Sequence, residues 1–174
     1  MKKSLGMVEV LTGNGPGKTT AALGHALRSI GHGFKVGMVQ FMKHDSRSGE
    51  IKAIRKYLPR FDVWQFGRKK FVRKPTKIDF KLARKGLTKA QEIIQSEKYD
   101  LVILDEINVA LWFKLLDLTR VIEIIRSRPK NVELILTGRY APKKIIDLAD
   151  SVSEIKEVKH YFRKGIRARK GIEY

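Results

Sequence analysis

The sequence has no cysteine, and that excludes disulfides, thiolate metal sites and cysteine nucleophiles. Proline is also scarce, with 5 in 174 residues, and no long Pro/Gly/Ser stretch divides the chain. No apolar run reaches membrane-spanning length, and the opening Met1-Lys2-Lys3 lacks the apolar core of a signal peptide. A cytoplasmic protein with no membrane partner is therefore expected. Acidic residues are few beside basic ones, 18 against 37, which leaves a formal charge of +19. An excess of this size attracts polyanions such as nucleic acid or phosphorylated cofactors. The abundance of charge, though less its imbalance, also fits a heat-adapted surface. Paired histidines at ligand spacing are missing too, so no zinc site is expected.

The length and an ordinary apolar fraction of 43% predict one globular domain over residues 1–174. Apolar runs at Met7–Leu11, Lys35–Phe41, Phe61–Phe66, Leu101–Leu104, Val132–Leu136 and Val152–Ile155 read as buried parallel strands. Helical spacing recurs between them, at Thr19–Ile30, Glu50–Tyr57, Ile78–Glu97, Leu118–Arg126 and Lys143–Leu148. Alternation of this kind predicts an α/β fold, a parallel sheet with helices on both faces.

Between the first strand and the first helix stands Leu11 to Gly24, LTGNGPGKTTAALG. Strand, glycine-rich turn, Gly-Lys-Thr and helix make a P-loop, as in the RecA-like NTPases. Its glycines let backbone N–H groups turn around an anion, and the helix N-terminus adds its positive end. Lys18 is placed to reach the terminal phosphates and Thr19 to offer its hydroxyl to a magnesium ion. The usual first glycine is replaced by Thr12, with Gly13 one residue late, which marks a specialised loop.

The strand Leu101–Leu104 ends in Asp105 and Glu106. Such an ending can start a helix, but downstream of a P-loop it places one carboxylate to hold magnesium, usually through water, and the other to order a reactant. Arg139, after Leu134–Thr137, falls on the same rim, to neutralise phosphate or to pair with a surface acid. Two loops follow strand ends, where open α/β sheets bind ligands: Phe41–Gly49 and the basic Gly67–Lys77. The second sets Phe71 among six cations, a composition suited to a nucleic acid strand, to a flat phosphate-bearing cofactor, or to plain solvation. His25 and His32 read as structural, and His44 as a weak substrate contact.

These residues resemble the P-loop ATP:corrinoid adenosyltransferases. The loop TGNGPGKTTAALG is similar to that family's TGNGKGKTTAA, including Thr12, and VILDEIN to its Asp-Glu strand. ELILTGRYAPKKIIDLADSVSEI and the tail VKHYFRKGIRARKGIEY resemble its later segments, so the match runs in order from about Val8 to the last residue. Pro16 stands where enteric members carry lysine, and the N-terminal segment that covers the site in longer members is expected to be lacking. The family's aromatic patch after the third strand is loosely matched by Phe66-Gly67 and Phe71.

The resemblance implies transfer of the 5′-deoxyadenosyl group of ATP to the Co(I) centre of a reduced corrinoid, with inorganic triphosphate released, in adenosylcobalamin biosynthesis or salvage. Cobalt is the nucleophile, so no catalytic Ser, Cys or His is required. Lys18 and Glu106 become the expected catalytic residues. Thr12, Gly13, Asn14, Gly15, Gly17, Lys18, Thr19, Thr20, Arg139 and Phe71 become the expected substrate contacts, and Thr19, Asp105 and Glu106 the environment of a magnesium or manganese ion. Phe41, Trp64 and Phe66 join Phe71 as candidates for the corrinoid. A flavodoxin-type electron donor and a homodimer are implied; nucleic acid is not expected as a partner, though the charge permits it. The rival expectations are a nucleic-acid-stimulated RecA-like ATPase and a small-molecule kinase.

Overall fold

A computed structural model describes residues 6–45, 48–69, 72 and 74–172. Six strands form one sheet: β1 (Val8–Thr12), β2 (Val36–Phe41), β3 (Phe61–Phe66), β4 (Leu101–Asp105), β5 (Glu133–Thr137) and β6 (Ser151–Glu154). Their order is β3-β2-β4-β5-β1-β6, and every neighbouring pair is parallel. All carboxyl ends therefore open on one rim, where the loops that hold ligands belong.

Side chains alternate along each strand and divide the core in two. Leu11, Val36, Met38, Leu101, Ile103 and Ile135 face α1 (Lys18–Gly31) and α2 (Gly49–Tyr57), packing on Ala22, Ala26 and Ile54. Val10, Val39, Phe41, Val102, Leu104, Leu134 and Leu136 face the other way. They meet α3 (Lys77–Gln95), α4 (Ile107–Trp112), α5 (Leu118–Arg126) and α6 (Lys143–Ile146) through Ala90, Ile107, Ile124 and Ile145. Each fully buried aliphatic side chain stabilises the fold by about 1.5–3 kcal/mol before chain entropy is counted. Among the described residues no helix is long and apolar enough to cross a membrane.

Two expectations need correction. Val152–Ile155 was expected to be a buried strand, yet all four residues of β6 are exposed. It is one edge of the sheet, paired only to β1, and its Ser-Val-Ser-Glu sequence has the polar character edges tolerate. β3, also expected to be buried, is the other edge, paired only to β2, and is half-buried after Phe61. A helix does start after Asp105-Glu106, α4, although the helical spacing recognised in the sequence does not include it. Six residues are too few for a helical period to stand out from the apolar run that precedes them.

Gly86 sets how closely α3 approaches the sheet. A Cβ there would lie 2.9 Å from the Phe41 ring and 3.2 Å from Phe66 Cβ. Phe41 is fully buried in this contact, so it belongs to the core and is unavailable to a corrinoid. Trp64 packs edge-on against Tyr99, with the ring centroids 5.9 Å apart.

Candidate active site

The P-loop joins β1 to α1 and is walled by a segment far away in sequence. Gly13 has φ +97°, and a Cβ on it would lie 2.3 Å from Ile155 O. A Cβ on Gly15 would lie 2.8 Å from Lys156 C, and the Gly15 N–H donates to Ile155 O at 2.8 Å. Both glycines are thus required by the chain that follows β6, and the Gly15 N–H is spent there. Asn14 Oδ1 accepts from the Glu157 N–H at 3.3 Å, on the same wall. Gly17 differs: its φ is +105° but nothing lies within 4 Å of its missing Cβ. It opens α1 and leaves the loop's mouth clear.

Lys18 begins α1 and is buried, and its Nζ donates to Gly15 O at 2.5 Å. Burial lowers its affinity for the proton; Glu106 opposes that, while Arg139 and Lys43 add to it. Three cations therefore crowd the mouth of the loop, the arrangement an incoming polyanion would relieve. Arg139 is exposed on the rim and makes no ion pair among the described residues. It lines a cleft of about 550 Å³ with Thr12, Gly13, Asn14, Tyr140 and Lys156. Thr12 Oγ1 accepts from the Ala141 N–H at 3.4 Å, which ties the loop to the chain after β5. Thr20 is exposed on the first turn of α1.

Asp105 closes β4 and is completely buried. One of its oxygens accepts from Thr19 Oγ1 at 2.9 Å and Thr137 Oγ1 at 2.7 Å. The other accepts from Gln40 Nε2 at 3.0 Å and Lys43 Nζ at 2.8 Å. Burial alone would raise the Asp105 carboxyl, but the Lys43 charge and these hydrogen bonds hold it below the usual carboxylate range. Asp105 does not cap α4: that position is Glu106, in the left-handed region with φ 61° and no side-chain cap bond. This backbone costs about 1–3 kcal/mol, and the Glu106 carboxylate lies 3.6 Å from Lys43 and within charge range of Lys18. Burial raises Glu106; Lys43 opposes the shift and Asp105 reinforces it.

Thr19, Asp105 and Glu106 are therefore brought together as the sequence suggested, with Lys18 and Arg139 nearby. Oxygen donors from three elements converge on one cation, the Lys43 ammonium, which is the donor chemistry a hard divalent ion requires. Sequence reasoning missed Lys43, Gln40 and Thr137. Only Gln40, a polar residue in an otherwise apolar strand, gave a signal that could have been read.

The basic loop after β3 is more structural than its composition suggested. Arg68 grips Asp79 through two hydrogen bonds, of 2.7 and 2.8 Å, and Asp79 completes a capping box with Thr76 at the start of α3. Burial opposes it, but the bonds from Arg68 and Thr76 hold the Asp79 carboxyl below its ordinary range. Val72 is buried as well. Phe71 lies outside the described residues. His25 Nδ1 lies 3.3 Å from Glu9, a structural pairing.

Comparison with known proteins identifies the family. The model of the family "ATP:corrinoid adenosyltransferase BtuR/CobO/CobP" matches residues 4–174. The chain is 37% identical to the corrinoid adenosyltransferase of Escherichia coli (strain K12), over 97% of this chain and 86% of that one. It is also 37% identical to the corrinoid adenosyltransferase CobA of Salmonella typhimurium (strain LT2), with the same coverage. For the corrinoid adenosyltransferase of Pseudomonas aeruginosa the identity is 36%, over 97% of this chain and 84% of the relative. The chain belongs to the ATP:corrinoid adenosyltransferase family.

Proposed function

We propose that this protein transfers the 5′-deoxyadenosyl group of ATP to the Co(I) centre of a corrinoid, as its family does, and serves adenosylcobalamin biosynthesis or salvage. The observation that carries the reading is the gathering of Lys18, Arg139, Thr19, Asp105 and Glu106 at the mouth of the P-loop. That cluster suits the chemistry of a departing triphosphate. The Co(I) electron pair forms a bond to the ribose 5′ carbon as the carbon–oxygen bond breaks, and the triphosphate leaves with that bond's electrons.

The substrate supplies the nucleophile, so the protein's work is to position the two reactants and to hold the leaving charge. Lys18, Arg139 and the open N–H groups around Gly17 would bind the triphosphate. Thr19 and Asp105, with Glu106 beside them, would hold a magnesium or manganese ion, which neutralises leaving-group charge when bound. The corrinoid would lie over the rim near the loops after β2 and β3, with Phe66 and, from the sequence alone, Phe71 as aromatic candidates. A flavodoxin-type donor would deliver the electrons to cobalt, docking through charge on this basic surface. A reduction rate that does not fall as salt rises would remove that docking mode. A homodimer is the expected assembly.

Anaerobic incubation with reduced cobalamin, ATP and magnesium tests the reading. The expected product is a light-sensitive alkyl-cobalt spectrum; an unchanged corrinoid spectrum contradicts it.

A further inference from the structure

The loop after β2 carries a side chain whose position no local pattern announces. Met42 turns the chain in the left-handed region at φ 59°, and its N–H donates to Phe66 O at 2.9 Å. Gly67 lies so close behind that a Cβ on it would be 2.3 Å from Met42 C and Lys43 N. Two loops in backbone contact therefore fix where Lys43 starts. Its Nζ reaches 3.0 Å from Thr19 Oγ1, 2.8 Å from Asp105 Oδ2 and 3.6 Å from Glu106 Oε1.

These are the oxygens assigned above to the divalent ion. A magnesium ion held by these oxygens, directly at about 2.0–2.1 Å or through its own waters, competes with the ammonium for the same space. Like charges repel strongly at such range, so a metal ion and the ammonium oppose each other at this buried carboxylate. Lys43 nevertheless has a path to solvent. Its side chain is 34% exposed, on a flexible four-carbon stem, whereas Asp105 is wholly buried and must keep a counter-charge.

We propose that Lys43 is an exchangeable internal cation. It fills the metal position while the nucleotide is absent, and swings, still protonated, onto the triphosphate when metal and ATP enter together. The consequence is an order of binding: the metal ion alone is excluded, and the triphosphate repays the displaced ammonium with new anionic partners. This rests on the reading of the rim as a metal–triphosphate site.

Manganese binding measured by water-proton relaxation tests it, because that signal separates protein-bound manganese from free manganese and from Mn–ATP. Wild type, Lys43→Met and Lys43→Arg are compared without nucleotide, and wild type again with ATP but no corrinoid. Nucleotide-free Lys43→Met is expected to bind manganese at least about tenfold more tightly than wild type, while Lys43→Arg, which keeps the charge, stays as weak as wild type. Should Lys43→Met fail to fold, as judged by near-UV circular dichroism, Lys43→Gln replaces it, since its amide can still donate to Asp105. Equal affinity of wild type and the neutral variant, with manganese bound in the presence of ATP, overturns the role of Lys43 alone. Absence of bound manganese in every sample, ATP included, overturns the metal site and this proposal with it.

Discussion

Asp105→Asn keeps the shape of a wholly buried side chain and removes its charge, so its cost is traceable bond by bond. The asparagine oxygen can still accept from Thr19 and Thr137, which approach one Asp105 oxygen at 2.9 and 2.7 Å. Its amide nitrogen then faces Lys43 and Gln40, two donors. Lys43 can turn to solvent, forfeiting a charge-assisted bond of about 1.5–3 kcal/mol with no charge left stranded. Gln40 is 1% exposed and must turn its amide over to accept. That turn breaks the 2.9 Å bond from Gln65 Nε2 to Gln40 Oε1 unless Gln65, half-buried, turns as well. The sum is a loss of about 2–3 kcal/mol, or a fall in Tm of roughly 5–10 °C for a chain of this size. Asp105→Ala strands buried donors outright and should cost about 3–5 kcal/mol. Urea unfolding at neutral pH, with the slope unchanged between variants, measures both. The folded Asp105 carboxyl lies below its ordinary 3.8, so its contribution is full above that pH and is lost as pH falls through the lowered value. The gap between wild type and Asp105→Asn should close in that acid range. A difference within about 0.5 kcal/mol at neutral pH would refute the energetic role given to the bonds on Asp105.

The neighbouring carboxylate should behave in the opposite sense. The folded value of Glu106 lies above its ordinary 4.5, so its contribution is present below that pH and is lost as pH rises through the raised value. Glu106→Gln should therefore raise stability at neutral pH while lowering adenosyl transfer, as thermal melts paired with product assays would show; a destabilised variant would contradict it. Gly13 and Gly17 should separate by neighbourhood, since both have positive φ but of these two only Gly13 faces backbone, at 2.3 Å. Gly17→Ala should cost about 1–2 kcal/mol from strain alone, and Gly13→Ala clearly more, because Ile155 must move. Equal costs in urea titrations would mean that the wall after β6 is not rigid.

Local pattern carried a large part of this fold. The apolar runs of β1 to β5 lie within a residue or so of where they were expected. In β1, β2, β4 and β5 burial on both faces leaves its mark on adjacent residues, whereas β3 is an edge strand, half-buried after Phe61. The P-loop and Asp105-Glu106 were legible for a related reason: each is a short motif at the end of a strand. What stayed hidden is pairing across distance. Lys43 and Asp105 are 62 residues apart, and Thr19 and Asp105 are 86. The closeness of Ile155 to Gly13 was equally invisible, so glycines that looked like phosphate-binding devices prove also to be packing devices. Charge composition misled in one place, for Arg68 in the basic loop is committed to Asp79.

The central claim is that the triphosphate leaves whole, and phosphorus NMR of the reaction with reduced corrinoid, ATP and magnesium reads that directly. One equivalent of inorganic triphosphate for each alkyl-cobalt formed, unaffected by added DNA or RNA, is the predicted result. ADP with inorganic phosphate, rising when nucleic acid is added, would contradict it and make the site that of an ATPase.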